Sequence, residues 1–169
     1  MKRLYLLRHA KSSWDEPGLA DRDRPLAPRG RRASKAVGGH LREERIAPDI
    51  VLCSPSQRTR ETLDRIGLAE GSEVRIEDEI YGASPGDLLG LLHRVPVDAG
   101  SAMLIGHNPS IQELALTISG GGEDLDRVRA KFPTAALATL EFDGAWAELA
   151  PGGAELVAFV RPKDLSGNA

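Results

Sequence analysis

An α/β fold is the prediction for these 169 residues: one three-layer α/β/α domain over 1–169, with a mostly parallel sheet and an antiparallel hairpin at its edge. Three observations carry it. Short unbroken apolar runs recur, as buried strands require. Amphipathic helical patterns separate them. Near the end the pattern changes to strand, turn and strand around Asp143-Gly144.

The first strand is the apolar run 4–7, which stops at Arg8 and His9. Pro28-Arg29-Gly30 then leads into a helix with Ala33, Ala36, Val37 and Leu41 on one face. Residues 49–53 form a second strand. A helix over 57–66 carries Arg58 in its first turn. Residues 74–76 make a short strand, and Ser84 or Pro85 opens a helix through Leu88, Leu89, Leu91 and Leu92. The strand 101–105 is central. Pro109 falls where a first helical turn tolerates proline, ahead of Ile111, Leu114, Ala115 and Ile118 on one face. Gly120-Gly121-Gly122 reads as a loop. Residues 135–142 and 146–149 should pair as a hairpin, and 154–160 is the last strand.

Composition narrows the function. Apolar residues make up 41% and charged residues 28%, ordinary for a globular protein. The net charge of −3 argues against a nucleic-acid binder, although Arg22, Arg24, Arg29, Arg31 and Arg32 form a candidate basic patch. One cysteine allows no internal disulfide, which suits a reducing cytosol. No run approaches the roughly 18 apolar residues of a membrane span. The opening apolar run ends at Arg8, short of a signal-peptide core, so a cytoplasmic location is expected.

The chemistry concentrates at strand ends. In open α/β sheets, ligands bind beyond the carboxyl ends of the strands. Arg8, His9, Arg58 and His107 all fall there. Arginine offers a planar fork suited to phosphate. His9 offers a neutral nitrogen able to act as a nucleophile. Helix N-termini near Ser56 and Pro109 would add backbone donors for an anion. A phosphoryl-transfer pocket follows, in which His9 attacks and arginines neutralise charge on the equatorial oxygens. His107 would bind phosphate as cation or donor. Asn108 would cap the following helix and could offer its amide to phosphate.

The Arg8-His9 pair, Ser54-Pro55 followed by Arg58, and the late Gly106-His107 together resemble the histidine phosphatase superfamily, which includes the phosphoglycerate mutases. Within it the chain is most similar to the short SixA-type phosphohistidine phosphatases. Asp23-Arg24-Pro25-Leu26 with Gly30, Lys131-Phe132-Pro133-Thr134 and Arg161-Pro162-Lys163-Asp164-Leu165 match that subgroup. The resemblance implies a cofactor-independent phosphatase with a covalent phosphohistidine intermediate on His9. It selects Arg58 over Arg60 as the second clamp. Ser12 and Asp15 match positions that flank the phosphate in the mutases, with Lys11 and Trp14 at the mouth. Two departures stand out. Ala10 replaces the usual glycine after the histidine. The glutamate acid of the mutases has only Glu79 or Asp78 as counterparts, in a differing context. An alkoxide leaving group needs a positioned acid, whereas imidazole needs less. The expected substrate is therefore phosphohistidine in a protein, with a small phosphate ester as the alternative.

Two rivals differ in kind. A cysteine phosphatase would need five residues between cysteine and arginine, but Cys53 and Arg58 are separated by four. A phosphoacceptor or phosphohistidine-binding module would use His9 without turnover. His40 and His93 lie on predicted helices as structural residues. No zincin spacing occurs, so no metal is expected.

Overall fold

A computed structural model describes residues 1–165. Seven strands form one sheet: β1 (Lys2–Arg8), β2 (Ile50–Cys53), β3 (Glu73–Ile76), β4 (Ser101–Gly106), β5 (Ser119–Gly121), β6 (Leu137–Phe142) and β7 (Ala154–Val160), in the order β3-β2-β4-β1-β6-β7-β5. Strands β3, β2, β4 and β1 run parallel. Strand β6 runs antiparallel to both β1 and β7, and β5 is parallel to β7. The α/β class, the mostly parallel sheet and an antiparallel hairpin are therefore as the sequence predicts.

The central strands alternate between two cores, as the period-two geometry of a strand requires. Leu4, Leu6, Ile50, Leu52 and Leu104 face one side. Tyr5, Leu7, Val51, Cys53, Met103 and Ile105 face the other. Helices α1 (Pro28–Glu43) and α2 (Gln57–Ile66) cover the second side. Helices α3 (Pro85–His93), α4 (Ser110–Ile118) and α5 (Leu125–Ala130) cover the first. Burial on both faces explains the unbroken apolar runs. Helix α2 has the expected bounds, and α4 buries the expected face of Ile111, Leu114, Ala115 and Ile118.

Two expectations fail. Residues 146–149 do not form a strand. Gly144 turns the chain at φ 94°, but Trp146–Glu148 is a 3₁₀ turn. The Trp146 ring is 1% exposed, its Nε1 donates to the Ala99 carbonyl at 2.7 Å, and it meets Phe142 edge-on. An indole fills the core and satisfies its N–H there, which no exposed hairpin strand allows. The hairpin partner of β6 is β7 instead, with Leu137 opposite Val160. The triple glycine is the second failure. Ser119–Gly121 pairs with β7 as a short edge strand. At the neighbouring Gly122 (φ +140°) a Cβ would lie 2.3 Å from the Leu156 carbonyl oxygen, so glycine permits the close approach. Helix α5 had no clear sequence signal. No helix among the described residues is long and apolar enough to cross a membrane.

Candidate active site

Parallel pairing puts the carboxyl ends of β1, β4 and β2 side by side, with Arg8 opposite Gly106 and Cys53 opposite Ile105. The residues just beyond these ends are His9, His107 and Ser54. The loop after β1 is held by several elements. His9 N–H donates to the Gly106 carbonyl, and Ala135 N–H is shared by the carbonyls of Arg8 and His9. Ala10 N–H donates to Thr62 Oγ1, which itself donates to the Arg58 carbonyl. Gly30 of α1 lies against Lys11, where a Cβ would come within 2.1 Å of the carbonyl oxygen. Glycine is required for that contact.

His9 is 8% exposed. Its Nδ1 lies 2.7 Å from the Ala10 carbonyl oxygen. A carbonyl only accepts, so Nδ1 carries the proton and the lone pair is on Nε2. Burial pushes the imidazole down to about 3, opposed by the Ala10 carbonyl and aided by His107, Arg58 and Arg8. The His107 ring is 5.2 Å from that of His9, centroid to centroid. Burial, then Arg58, lowers His107 to about 4. Its Nε2 pairs with Ser54 Oγ at 2.7 Å, and its Nδ1 is buried without a partner among the described residues.

Both arginines are fixed. Arg8 Nη1 donates to the Phe132 carbonyl at 2.9 Å, while its Nε is buried and has no partner among the described residues. Arg58 is 8% exposed, and its Nη1 and Nη2 donate to the Asp21 carbonyl and carboxylate at 2.7 and 3.1 Å. A buried donor without a partner costs roughly 1–3 kcal/mol. Arg8 Nε is such a donor, and so is His107 Nδ1 when Ser54 donates to Nε2. A phosphoryl oxygen is an acceptor of suitable charge for both.

Asp21 was not anticipated. It organises the second arginine and also accepts from Tyr81 Oη at 2.6 Å and Arg24 Nη1 at 3.1 Å. The Tyr81 hydrogen bond, with Arg58 and Arg24, holds its carboxyl down at about 2. Tyr81 also meets the His107 ring edge-on at 5.6 Å. Asp21 lies two residues before the Asp23-Arg24-Pro25-Leu26 segment that resembles the SixA-type subgroup, and nothing in the sequence singled it out.

The other expected site residues separate. Ser12 Oγ accepts from Arg24 Nη2 and steadies that side chain. Asp15 is exposed, and its recorded hydrogen bond is through its backbone to Ser13. Glu79 is not brought to the pocket. It is in the 3₁₀ turn Asp78–Ile80, and its carboxylate pairs with Arg94 of the loop after α3. Asn108 does not cap α4, whose N-cap is Pro109 without a side-chain bond. Its amide instead donates to Gln112 and to the Phe132 carbonyl that also receives Arg8. The basic patch splits, with Arg29 and Arg32 staying together in a separate cleft. Arg24 turns inward over Trp14, Arg22 lies over Tyr81, and Arg31 donates to the Leu26 carbonyl. Arg60 is exposed while Arg58 is buried. Cys53 is fully buried, and burial pushes its thiol up to about 12, which disarms it as a nucleophile. His93 is held within the fold, its Nε2 donating to the Leu149 carbonyl at 2.7 Å. Among the described residues no cluster of three or more His, Cys, Asp or Glu could hold a metal ion.

The two depressed imidazoles imply a pH dependence of stability. Each has its folded pKa below the ordinary 6.5, so the unfolded chain binds protons first as pH falls. The fold should lose stability from about pH 6.5 down towards 3. Asp21 acts elsewhere: its contribution is present above the ordinary 3.8 and is lost only towards 2. Urea midpoints at pH 7, 5.5 and 4.5 (about these values) should slope in the wild type and flatten when both histidines are alanine. An unchanged slope in the double variant would contradict this origin.

Residues 4–143 match the family model of the histidine phosphatase superfamily, branch 1. An uncharacterized protein of Mycobacterium tuberculosis is 40% identical over 161 residues, covering 93% of this chain and all of that one. A solved structure from Nakamurella multipartitia that carries the SixA phosphohistidine phosphatase name superposes with a TM-score of 0.83 at 35% identity, covering 95% of this chain and 96% of that one. The protein histidine phosphatase SixA in complex with tungstate shares the fold, with a TM-score of 0.78 at 21% identity over 96% of this chain and 98% of that one.

Proposed function

We propose, for a chain that belongs to the histidine phosphatase superfamily and is therefore a phosphatase, that it dephosphorylates phosphohistidine in proteins through a covalent intermediate on His9. The observation that carries this reading is the state of His9: neutral, buried, with Nδ1–H spent on the Ala10 carbonyl and the lone pair on Nε2. That lone pair attacks phosphorus while the bond to the departing imidazole breaks. The electron pair leaves with that imidazole. Water then attacks the phosphohistidine of the enzyme, its proton goes to the phosphate, and His9 departs as the same neutral tautomer. Arg8, Arg58 and His107 donate to the equatorial oxygens, where charge-assisted bonds count most.

The position of the acids supports phosphohistidine as substrate. Glu79 is engaged by Arg94, and Asp21 is held as a carboxylate, so neither is a ready proton donor. An alkyl ester would need one. A phosphohistidine protonated on its far ring nitrogen leaves as neutral imidazole. The name carried by the Nakamurella structure agrees with this choice.

The test is a panel of phosphohistidine peptide, phosphoserine and a sugar phosphate. Hydrolysis of phosphohistidine should exceed that of the esters by about 10²-fold or more, the scale of missing acid catalysis. Glu79→Gln should leave phosphohistidine hydrolysis within about twofold, since less protonation is required. Faster hydrolysis of the esters would make this a small-ester phosphatase. A stable phosphoenzyme with no release of phosphate would make it a phosphoacceptor module.

A further inference from the structure

A second concave surface opens beside the pocket, and its charge opposes that of the chain. A cleft of about 600 Å³ is lined by seven cationic side chains and, among the described residues, no carboxylate, in a protein of net charge −3. Arg127 and Arg161 are partly neutralised by Asp124 and Asp164. Lys11, Arg29, Arg32, Lys131 and Lys163 are exposed and make no ion pair among the described residues. Small apolar surfaces from Ala33, Ala130, Pro133 and Pro162 lie between them.

The cleft and the pocket are built on neighbouring segments. Lys11 is two residues beyond His9 on the same loop. Lys131 and Pro133 flank Phe132, whose carbonyl holds Arg8. Strand β7 is parallel to β1 with β6 between them, and Leu7, Leu137 and Val160 are in register. At roughly 4.8 Å per strand, Val160 is about 10 Å from Leu7, and Arg161 to Lys163 follow at the edge where Arg8 ends.

We infer that this cleft docks an acidic segment of the phosphorylated protein, next to the phosphohistidine that enters the pocket; the inference rests on the proposed substrate class. Its construction distinguishes it from a site for a second small anion. The pocket holds half-buried Arg8 and buried Arg58, each held by hydrogen bonds to the protein. The cleft holds exposed cations from four separate segments, mostly lysine point charges on flexible stems. Such an array reads an extended negative surface. It accelerates encounter and fixes orientation, and it weakens as salt screens it. A protein substrate gains from this because its histidine must be presented by a folded surface rather than diffuse in freely.

The test uses two synthetic phosphohistidine peptides of equal length, one flanked by glutamates and one by glutamines, with free phosphohistidine as the short control. The enzyme is the full chain, as wild type and as the combined variant Arg29→Glu, Lys131→Glu, Lys163→Glu. These exposed side chains make no hydrogen bond or ion pair among the described residues, so the fold should persist. The wild type should show a KM about tenfold lower for the acidic peptide at low salt, from a few exposed charge pairs acting together. The preference should vanish in the variant and at high salt, with kcat on free phosphohistidine retained. Equal use of both peptides by the wild type, or a preference that survives in the variant, overturns docking. So does a bisphosphorylated small ester that outcompetes the acidic peptide in the wild type and loses that advantage in the variant. Fluorescence anisotropy of the unphosphorylated acidic peptide reads docking without turnover. Failure of all hydrolysis alongside charge-dependent binding would therefore condemn the catalytic reading and leave docking standing.

Discussion

His9→Ala should abolish turnover, with a loss of at least about 10⁴-fold, the scale seen when a nucleophile is removed from a preorganised site. The site around it should survive. The backbone N–H of residue 9 would still donate to Gly106, and its carbonyl would still accept from Ala135. The side chain removed contributes one hydrogen bond, to Ala10. Rapid acid-avoiding quench of the wild type with substrate should trap phosphate on His9 as an acid-labile, base-stable adduct. Cys53→Ser should keep most activity, because a thiol pushed up to about 12 supplies no thiolate at neutral pH. Acid-stable phosphate, or label on Cys53, would overturn the mechanism.

The second large effect should come from the arginines. Arg8→Ala and Arg58→Ala should each cost about 2–4 kcal/mol of transition-state stabilisation, the usual loss for one preorganised donor. Under the proposed mechanism most of it should appear in kcat, because these groups would meet negative charge on the transferring phosphoryl. Arg58→Lys should rescue poorly. The fork of Arg58 is oriented by two oxygens of Asp21, and a single ammonium cannot occupy both positions while still reaching phosphate. Full activity of the lysine variant would show that only charge matters there.

The residues that could be read from sequence are those whose role follows from local pattern. Two-sided burial writes itself as unbroken apolar runs, so β1, β2 and β4 were legible, and with them the positions of Arg8, His9 and His107 at their ends. The 3.6 period exposed α2 and α4. The residues that were not legible depend on distant contacts. Asp21 matters because topology carries a 3₁₀ turn to the first turn of α2, 37 positions away. Glu79 had the right chemistry at the right place in the sequence, but its turn hands the carboxylate to Arg94. Trp146 was read as a strand residue from its neighbours, yet a buried acceptor 47 positions away, the Ala99 carbonyl, fixes it in the core. Such outcomes are decided by long-range satisfaction of polar atoms, which a window of sequence does not contain.

The division of β1 between two cores has a further consequence. Leu4 and Leu6 serve one side, Tyr5 and Leu7 the other, and Arg8 ends the same alternation. Inserting or deleting one residue between Lys2 and Leu7 would exchange both packing sets and rotate Arg8 to the wrong face in the same step. This strand can therefore change by substitution but not by length. It also ties chemical competence to correct register. On the proposed function, a molecule that pairs β1 out of frame would lack both a sound interior and Arg8 at the strand end, and would be inactive.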